Sequence, residues 1–382
     1  EGMPSYKTGE WARQLLAQRR EDGLWGNFHT LSCPVSGKSY TTEQAIRRLY
    51  YLGFTADDEV IQTALRRMEQ CVKGELAIDG YFEKKHDWPF FEKLMLSAWL
   101  RIFEPQNETA LEVAYQWAQI AEKAFSSGSY NREDDISAFV QWKGRKPKSG
   151  FETGFGMFYH AALLVGVLPP KIEDLFLDYC LSKPDGMFYI YDKPLNQPPE
   201  RFASRSASCY FAAIEVLSRY AQAEEKLNFV RDWLYANQEE NGQWDFGEKA
   251  KDGIYFPLSD RWDKETRRVD STYRIGKFLS SPCYCGHDCS KCITYIATQK
   301  NDDALRVKSQ QFYKETFKVE LPIEKFNCMG GRSKNVFELC KDCPFIECCN
   351  RHNVDSCNKC QEYPCKEILE YQAKYVNQCN QI

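Results

Sequence analysis

The chain has 382 residues, 43% hydrophobic and 14% aromatic, with a formal net charge of −4. That length is room for two or three domains, the composition supports a buried core and excludes global disorder, and the charge excludes broad electrostatic capture of nucleic acid or an anionic membrane. The longest strongly apolar run, Ala161 to Leu168, is too short to cross a bilayer, and the stretch from Glu1 to Lys7 carries no apolar signal region.

In chain order, helical periodicity begins at Trp11-Ala-Arg-Gln-Leu-Leu-Ala-Gln18 and is followed by Gly23-Leu-Trp25. A helix is expected from Thr42 toward Tyr51. A second is expected from Asp57, where acidic residues suit a helix N-terminus, before Gly80-Tyr-Phe82. Phe90–Phe103 and Glu108–Phe125 form the next expected pair, before Gly128-Ser-Tyr130. An apolar helix over Phe155–Leu168 and a periodic stretch at Leu175–Cys180 precede Gly186-Met-Phe188. Ser204–Ala221 and Glu225–Asn237 precede Gly242-Gln-Trp244.

The five glycines are 57, 48, 58 and 56 residues apart, which reads as a repeat of helix pairs. Each glycine is expected to stop a helix by adopting a left-handed backbone, and the aromatic two residues on to fold back onto the pair. Five or six such pairs build an open solenoid or a closed α/α toroid, so the expected fold is mainly α. Gln18-Arg-Arg-Glu-Asp-Gly-Leu-Trp25 and Gln238-Glu-Glu-Asn-Gly-Gln-Trp244 favour the toroid. They resemble the Gln…Gly-x-Trp repeats of the terpenoid cyclase and protein prenyltransferase superfamily, a resemblance that spans about residues 5–280. It implies that Gln18 and Gln238 cap helix ends while Trp25 and Trp244 stack against them. The family's acidic Asp-x-Asp-Asp proton donor is not in the sequence, and Cys180 and Cys209 lack the neighbours of a prenyltransferase zinc site; both are expected to be small buried residues.

Other polar groups in this part were weighed as site residues. His86 with Asp87 is a candidate acid–base pair, and Glu133, Asp134 and Asp135 are candidates for cation binding or acid–base work in a loop, against the plainer reading of a solvated turn. Arg267, Arg268 and Arg274 are expected on a surface face with Asp260, Asp263 and Glu265, with anion binding as the alternative. His160 is expected to be a core histidine with its hydrogen bonds satisfied.

The chemistry concentrates after residue 280. Of 17 cysteines, 13 lie between Cys283 and Cys379. Cys285, Cys289 and Cys292 read C-x3-C-x2-C. Cys340, Cys343 and Cys348 read C-x2-C-x4-C, and Cys357, Cys360 and Cys365 repeat that pattern 17 residues on. A CxxC turn lets two thiolates reach one ion, so these nine positions, with Cys328, are expected to hold two or three zinc ions and not disulfides, which implies a reducing, cytoplasmic setting. One natural grouping is Cys285, Cys289, Cys292 and Cys328; each triplet then needs a fourth ligand, for which Cys349, His352 and His287 are candidates. Cys283, Cys349 and Cys379 are left over.

Cys285-Gly-His-Asp-Cys289-Ser-Lys-Cys292, Tyr295-Ile-Ala-Thr-Gln-Lys-Asn-Asp-Asp303 and Cys357-Asn-Lys-Cys360-Gln-Glu-Tyr-Pro-Cys365 resemble an uncharacterised family of small cysteine-rich domains. That family carries a cysteine where Gly331 stands here. No activity follows from the resemblance. An iron–sulfur cluster is the alternative cofactor. Radical chemistry is discounted, because only 90 residues follow Cys292. From Ser281 to Ile382 there are 14 Lys+Arg against 13 Asp+Glu, which is not the basic footprint of a nucleic-acid binder. The expected organisation is a toroid-like helical-repeat domain over 1–280 and a cysteine-rich metal-binding domain over 281–382. The expected function is binding or scaffolding, with a small molecule or a protein in the toroid cavity. The alternatives are an enzyme acting there on a terpenoid-like or carbohydrate-like substrate, and an iron–sulfur redox protein.

Overall fold

In the computed structural model, residues 6–376 are described apart from 33, 35, 36, 81–86, 149–151, 280–282, 288, 300, 301, 329, 332–335, 353 and 355. His86, Cys33 and Cys379 therefore lie outside the described residues. The fold is mainly helical, with no strand among the described residues. The chain divides into two units, Glu1–Arg219 with Asp245–Ser271, and Tyr220–Trp244 with Thr272–Ile382. Residues 220–244 and 272–280 thus group with the cysteine-rich tail.

The first unit contains α1 (Glu10–Ala17), α2 (Thr42–Tyr51), α3 (Glu59–Val72), α4 (Trp88–Phe103), α5 (Glu108–Ala124), α6 (Arg132–Lys143), α7 (Phe158–Leu163), α8 (Pro170–Ser182) and α9 (Arg205–Leu217). Local sequence fixes their starts. Thr41 and Gln44 form a reciprocal capping box on α2. Asn107 accepts from Ala110 N at 3.0 Å on α5, and Ser204 accepts from Ala207 N at 3.0 Å on α9. The N-terminus of α1 is capped from far along the chain, because Glu10 N donates to Asp260 Oδ1 at 2.6 Å. Helix α4 is apolar nearly all round, from Trp88 through Leu100, and packs against α3, α5 and α7, as a helix without a polar face must.

The repeat glycines act differently from the expectation. Gly23, Gly128, Gly186 and Gly242 do have left-handed backbones, but each sits in the turn beyond its helix. Gly80 is not left-handed; Gly74, at φ +78°, follows the end of α3 instead. The tryptophans also work in their own way. The indole of Trp25 donates to Leu15 O at 2.7 Å, and that of Trp244 donates to Leu234 O at 2.6 Å, each capping a helix ten residues back. The backbone N–H of Trp25 meets Thr42 Oγ1 at 3.0 Å and that of Trp244 meets Thr272 Oγ1 at 3.1 Å, so the two motifs make the same contacts. Gln18 and Gln238 bind loop backbone, at Ser39 N and Gly242 O. Trp25→Phe or Trp244→Phe should therefore each cost about 0.5–1.5 kcal/mol by removing one of the hydrogen bonds to a helix-end carbonyl, measurable as a shift in urea midpoint.

At the centre of the first unit lies a fully buried carboxylate. Glu43 accepts from Tyr159 Oη at 2.9 Å, Trp99 Nε1 at 3.0 Å, Thr30 N at 2.7 Å and the Arg47 guanidinium at 3.0 Å. Arg47, itself 5% exposed, also donates to Tyr255 Oη at 3.2 Å and lies 4.5 Å from the Phe158 ring. Arg101 is buried as well, and its guanidinium binds the carbonyls of Leu163, Pro105 and Val165.

His160 is in the core, 4.6 Å from the Trp117 ring, but neither ring nitrogen has a hydrogen-bond partner, which departs from the expected satisfied histidine. Burial pulls its pKa down to about 3. The folded value lies below the unfolded one, so stability falls as pH drops through about 6.5 toward 3. Between pH 7.5 and 5 this group should cost about 2 kcal/mol, and His160→Met should flatten the pH dependence of the unfolding midpoint by that amount.

Helix α12 (Lys264–Leu279) carries the arginine-rich segment. Arg267 pairs with Asp245 at 3.0 Å and not with Asp260, Asp263 or Glu265, while Arg274 is buried. Asp263 instead accepts from Thr266 N at 3.0 Å near the start of α12, and Arg261 lies 3.7 Å from it.

Candidate metal centre

The second unit contains α10 (Ala223–Lys226), α11 (Asn228–Ala236), the end of α12, α13 (Ile293–Gln299), α14 (Asp303–Phe317), α15 (Phe345–Arg351) and α16 (Lys366–Tyr371). Asp302 caps α14 by accepting from Leu305 N at 3.1 Å. Helices α13 and α14 pack on each other, with Thr294 and Ser309 sharing a buried hydroxyl hydrogen bond of 2.7 Å.

Two CxxC motifs are closed by the turn such a ligand pair requires. Cys292 N donates to Cys289 O at 3.0 Å, and Cys360 N donates to Cys357 O at 3.0 Å. Each bond bends the chain back, so both thiols of the motif leave the turn together.

The cysteines fall into two groups. In the first, Cys283 Sγ is 2.7 Å from Cys289 Sγ, and Cys285 is hydrogen-bonded to both Cys283 and Cys343. Cys328 interacts with Cys289 and Cys292, and Cys340 with Cys328, Cys292, Cys289 and Cys285. Two backbone amides point at these sulfurs: Gly330 N donates to Cys328 Sγ at 3.4 Å, and Gly331 N to Cys289 Sγ at 3.3 Å. A Cβ at residue 331 would collide with Cys283 Sγ, so the Cys283 thiol fills the space a side chain would otherwise enter.

The second group comprises Cys348, Cys349, Cys357, Cys360 and Cys365, which with His352 line a small enclosed space. Cys349 Sγ lies 3.9 Å from Cys357 Sγ. Tetrahedral zinc with bonds of about 2.3 Å sets its sulfurs about 3.8 Å apart, so this pair already spans one edge of such a tetrahedron.

The triplet Cys340, Cys343 and Cys348 is split between the groups, and Cys285 stands beside Cys343 as well as beside Cys283. Two of the three leftover cysteines, Cys283 and Cys349, are buried in one hydrophobic cluster, Cys283 beside Cys289 and Cys349 beside Cys357. Spacing did not reveal Cys283, and it offered Cys349 only as one of three candidates for a fourth ligand. Cys283 precedes the motif by two residues, and Cys349 is adjacent to Cys348 on α15, so both look redundant in the linear pattern.

Electrostatics marks the same places. Burial pushes Cys328 up to about 11 and raises Cys292 and Cys340. Cys285 is pulled down to about 3 by hydrogen bonds from Cys283 and Cys343, whose own values rise in exchange. Buried thiols this close resist ionisation unless a cation is among them; a bound metal reverses the sign. Among the described residues, no three His, Cys, Asp or Glu side chains already converge on a common point at metal-ligand distances. The donors fit a thiophilic ion in type and number, and gathering four of them requires rotation about their side-chain torsions.

The acidic trio of the first unit forms no such centre. It occupies the first turn of α6, not a loop, with Asn131 as the cap for Glu133 N and Asp134 N. Asp134 pairs with Lys123 at 3.0 Å. Asp135 is buried and ties Tyr130 Oη, at 2.8 Å, to Gly154 N, at 2.7 Å; burial raises its pKa. Glu133 is exposed. Cys180 is buried in α8 and raised to about 12, while Cys209 is half-buried.

A family profile described as "Protein of unknown function (DUF3795)" matches residues 281–370, which contain both thiol groups. No curated protein and no solved structure matches this chain. No helix among the described residues is long and apolar enough to cross a membrane.

Proposed function

We propose that this is a zinc-binding protein whose thiol groups hold the second unit together, with the helical unit, built as an α/α toroid, serving as a binding or scaffolding domain. The observation that carries the metal reading is the gathering of twelve described cysteines, six of them buried and six half-buried, without a disulfide among them. Two or three ions would be held, the first group drawing on Cys283, Cys285, Cys289, Cys292, Cys328, Cys340 and Cys343, the second on Cys348, Cys349, Cys357, Cys360 and Cys365. Zinc is favoured because closed thiolate sites in a small, weakly cored unit are its usual structural role.

The helical unit has a cavity of about 40 Å³ beside Arg47, Tyr51, Trp99, Glu215 and Tyr255, room for a few waters.

Elemental analysis of the purified full chain tests the metal reading. About two or three zinc ions per chain are expected, and Cys283→Ser and Cys349→Ser should each lose about one ion from a different group. A brown protein with iron, acid-labile sulfide and absorbance near ~400 nm would replace zinc with an iron–sulfur cluster. A metal-free chain with a folded second unit would overturn both.

A further inference from the structure

The two thiol groups face spaces of very different size. The second encloses about 20 Å³, room for one water. The first borders a cavity of about 790 Å³, the size of a small-molecule site. A structural metal is sealed by its four protein ligands, whereas a metal that exchanges a ligand faces open space. The cavity floor carries Cys283, Cys285, Cys292, Cys340 and Cys343. Tyr313, Phe317, Tyr371 and Tyr375 also line it and give it an aromatic wall. The Phe317 and Tyr375 rings lie 5.8 Å apart at 31°, and Tyr371 is 4.9 Å from Tyr375, so they offer flat apolar surface to a guest.

We propose that the first thiol group is an exchangeable metal site that binds a small thiol carried on an aromatic or apolar body. This rests on the metal reading above. Three or four thiolates around a divalent ion leave the floor negative, so a carboxylate or phosphate gains little there, and soft thiolate surroundings select a soft donor. Lys318 and Lys374 also line the cavity and, against the single carboxylate of Asp342, offset that charge for an entering thiolate. Lys374 Nζ sits 4.9 Å from the centre of the Tyr375 ring, at the aromatic wall. Binding would displace a water from an ion held by three protein thiolates, form one metal–sulfur bond and release the thiol proton to solvent, with no change in oxidation state.

The test uses the full chain loaded with cobalt(II) in place of zinc and titrated with benzenethiol, with toluene as the same body lacking the donor. The expected result is a saturable shift of the visible cobalt bands with benzenethiol, none with toluene, and an unchanged cobalt count after gel filtration. Tyr375→Ala should weaken the response about tenfold. Lys374→Ala, an exposed change that keeps the wall, should weaken it less and serves if Tyr375→Ala fails to fold. Thiolate-type cobalt bands that benzenethiol leaves unmoved, or moves only by extracting the metal, would overturn this proposal alone. A chain that takes up no cobalt would overturn it together with the metal reading.

Discussion

Full-length protein stripped of metal by a strong chelator at neutral pH is expected to lose the folded state of residues 283–376 while the first unit stays folded. Structural zinc contributes about 10–16 kcal/mol of apparent binding free energy in small thiolate modules, as much as or more than the net stability of an entire domain. The segment after residue 280 has little else to replace it: two small clusters carry its apolar packing, one built largely of the cysteines with Tyr295, Phe345 and Ile368, the other of Tyr313, Phe326 and Phe337 around Cys328. Hydrogen exchange would show amides in α13 and α14 losing protection on chelation while those in α4 and α5 keep it. Retained protection in α13 and α14 without metal would mean that the aromatic packing suffices alone.

Glu43→Ala is expected to be the most damaging single change in the first unit, at about 3–5 kcal/mol. It strips Arg47 of its counter-charge inside the core and leaves Tyr159 Oη, Trp99 Nε1 and Thr30 N without their common acceptor. Glu43→Gln keeps an oxygen acceptor and should cost less. A Glu43→Leu, Arg47→Met pair should also be milder than Glu43→Ala, because no charge is then left buried and unpaired. Urea midpoints of the three variants order these effects; equal midpoints for Glu43→Ala and the pair would show that the buried charge is not the main term.

Much of the helical order was legible because periodicity and caps act locally. The reading from Thr42 toward Tyr51 matches α2, and Glu108–Phe125 differs from α5 by one residue, since Thr41 and Asn107 are capping residues in plain view. Helix α6 was missed because its first turn, Glu133-Asp134-Asp135, looks like a polar loop unless Asn131 is recognised as the cap. The Glu43–Arg47 pair went unnoticed: an i, i+4 ion pair on a helix ordinarily reads as surface, and only tertiary packing buries it. In the tail, the sequence singles out the cysteines but not how they group. Grouping depends on how the turns at Cys289–Lys291 and Cys357–Lys359 and helix α15 stack, which no linear spacing encodes. Cys283 is the clearest case, superfluous in the pattern and buried beside Cys289 in space.

X-ray absorption at the metal edge of the protein as purified tests the thiolate centres most directly. Sulfur neighbours at about 2.3 Å, close to four per ion, are the predicted result. A first shell of nitrogen and oxygen alone, or sulfurs paired with one another at bonding distance and no metal, would contradict it.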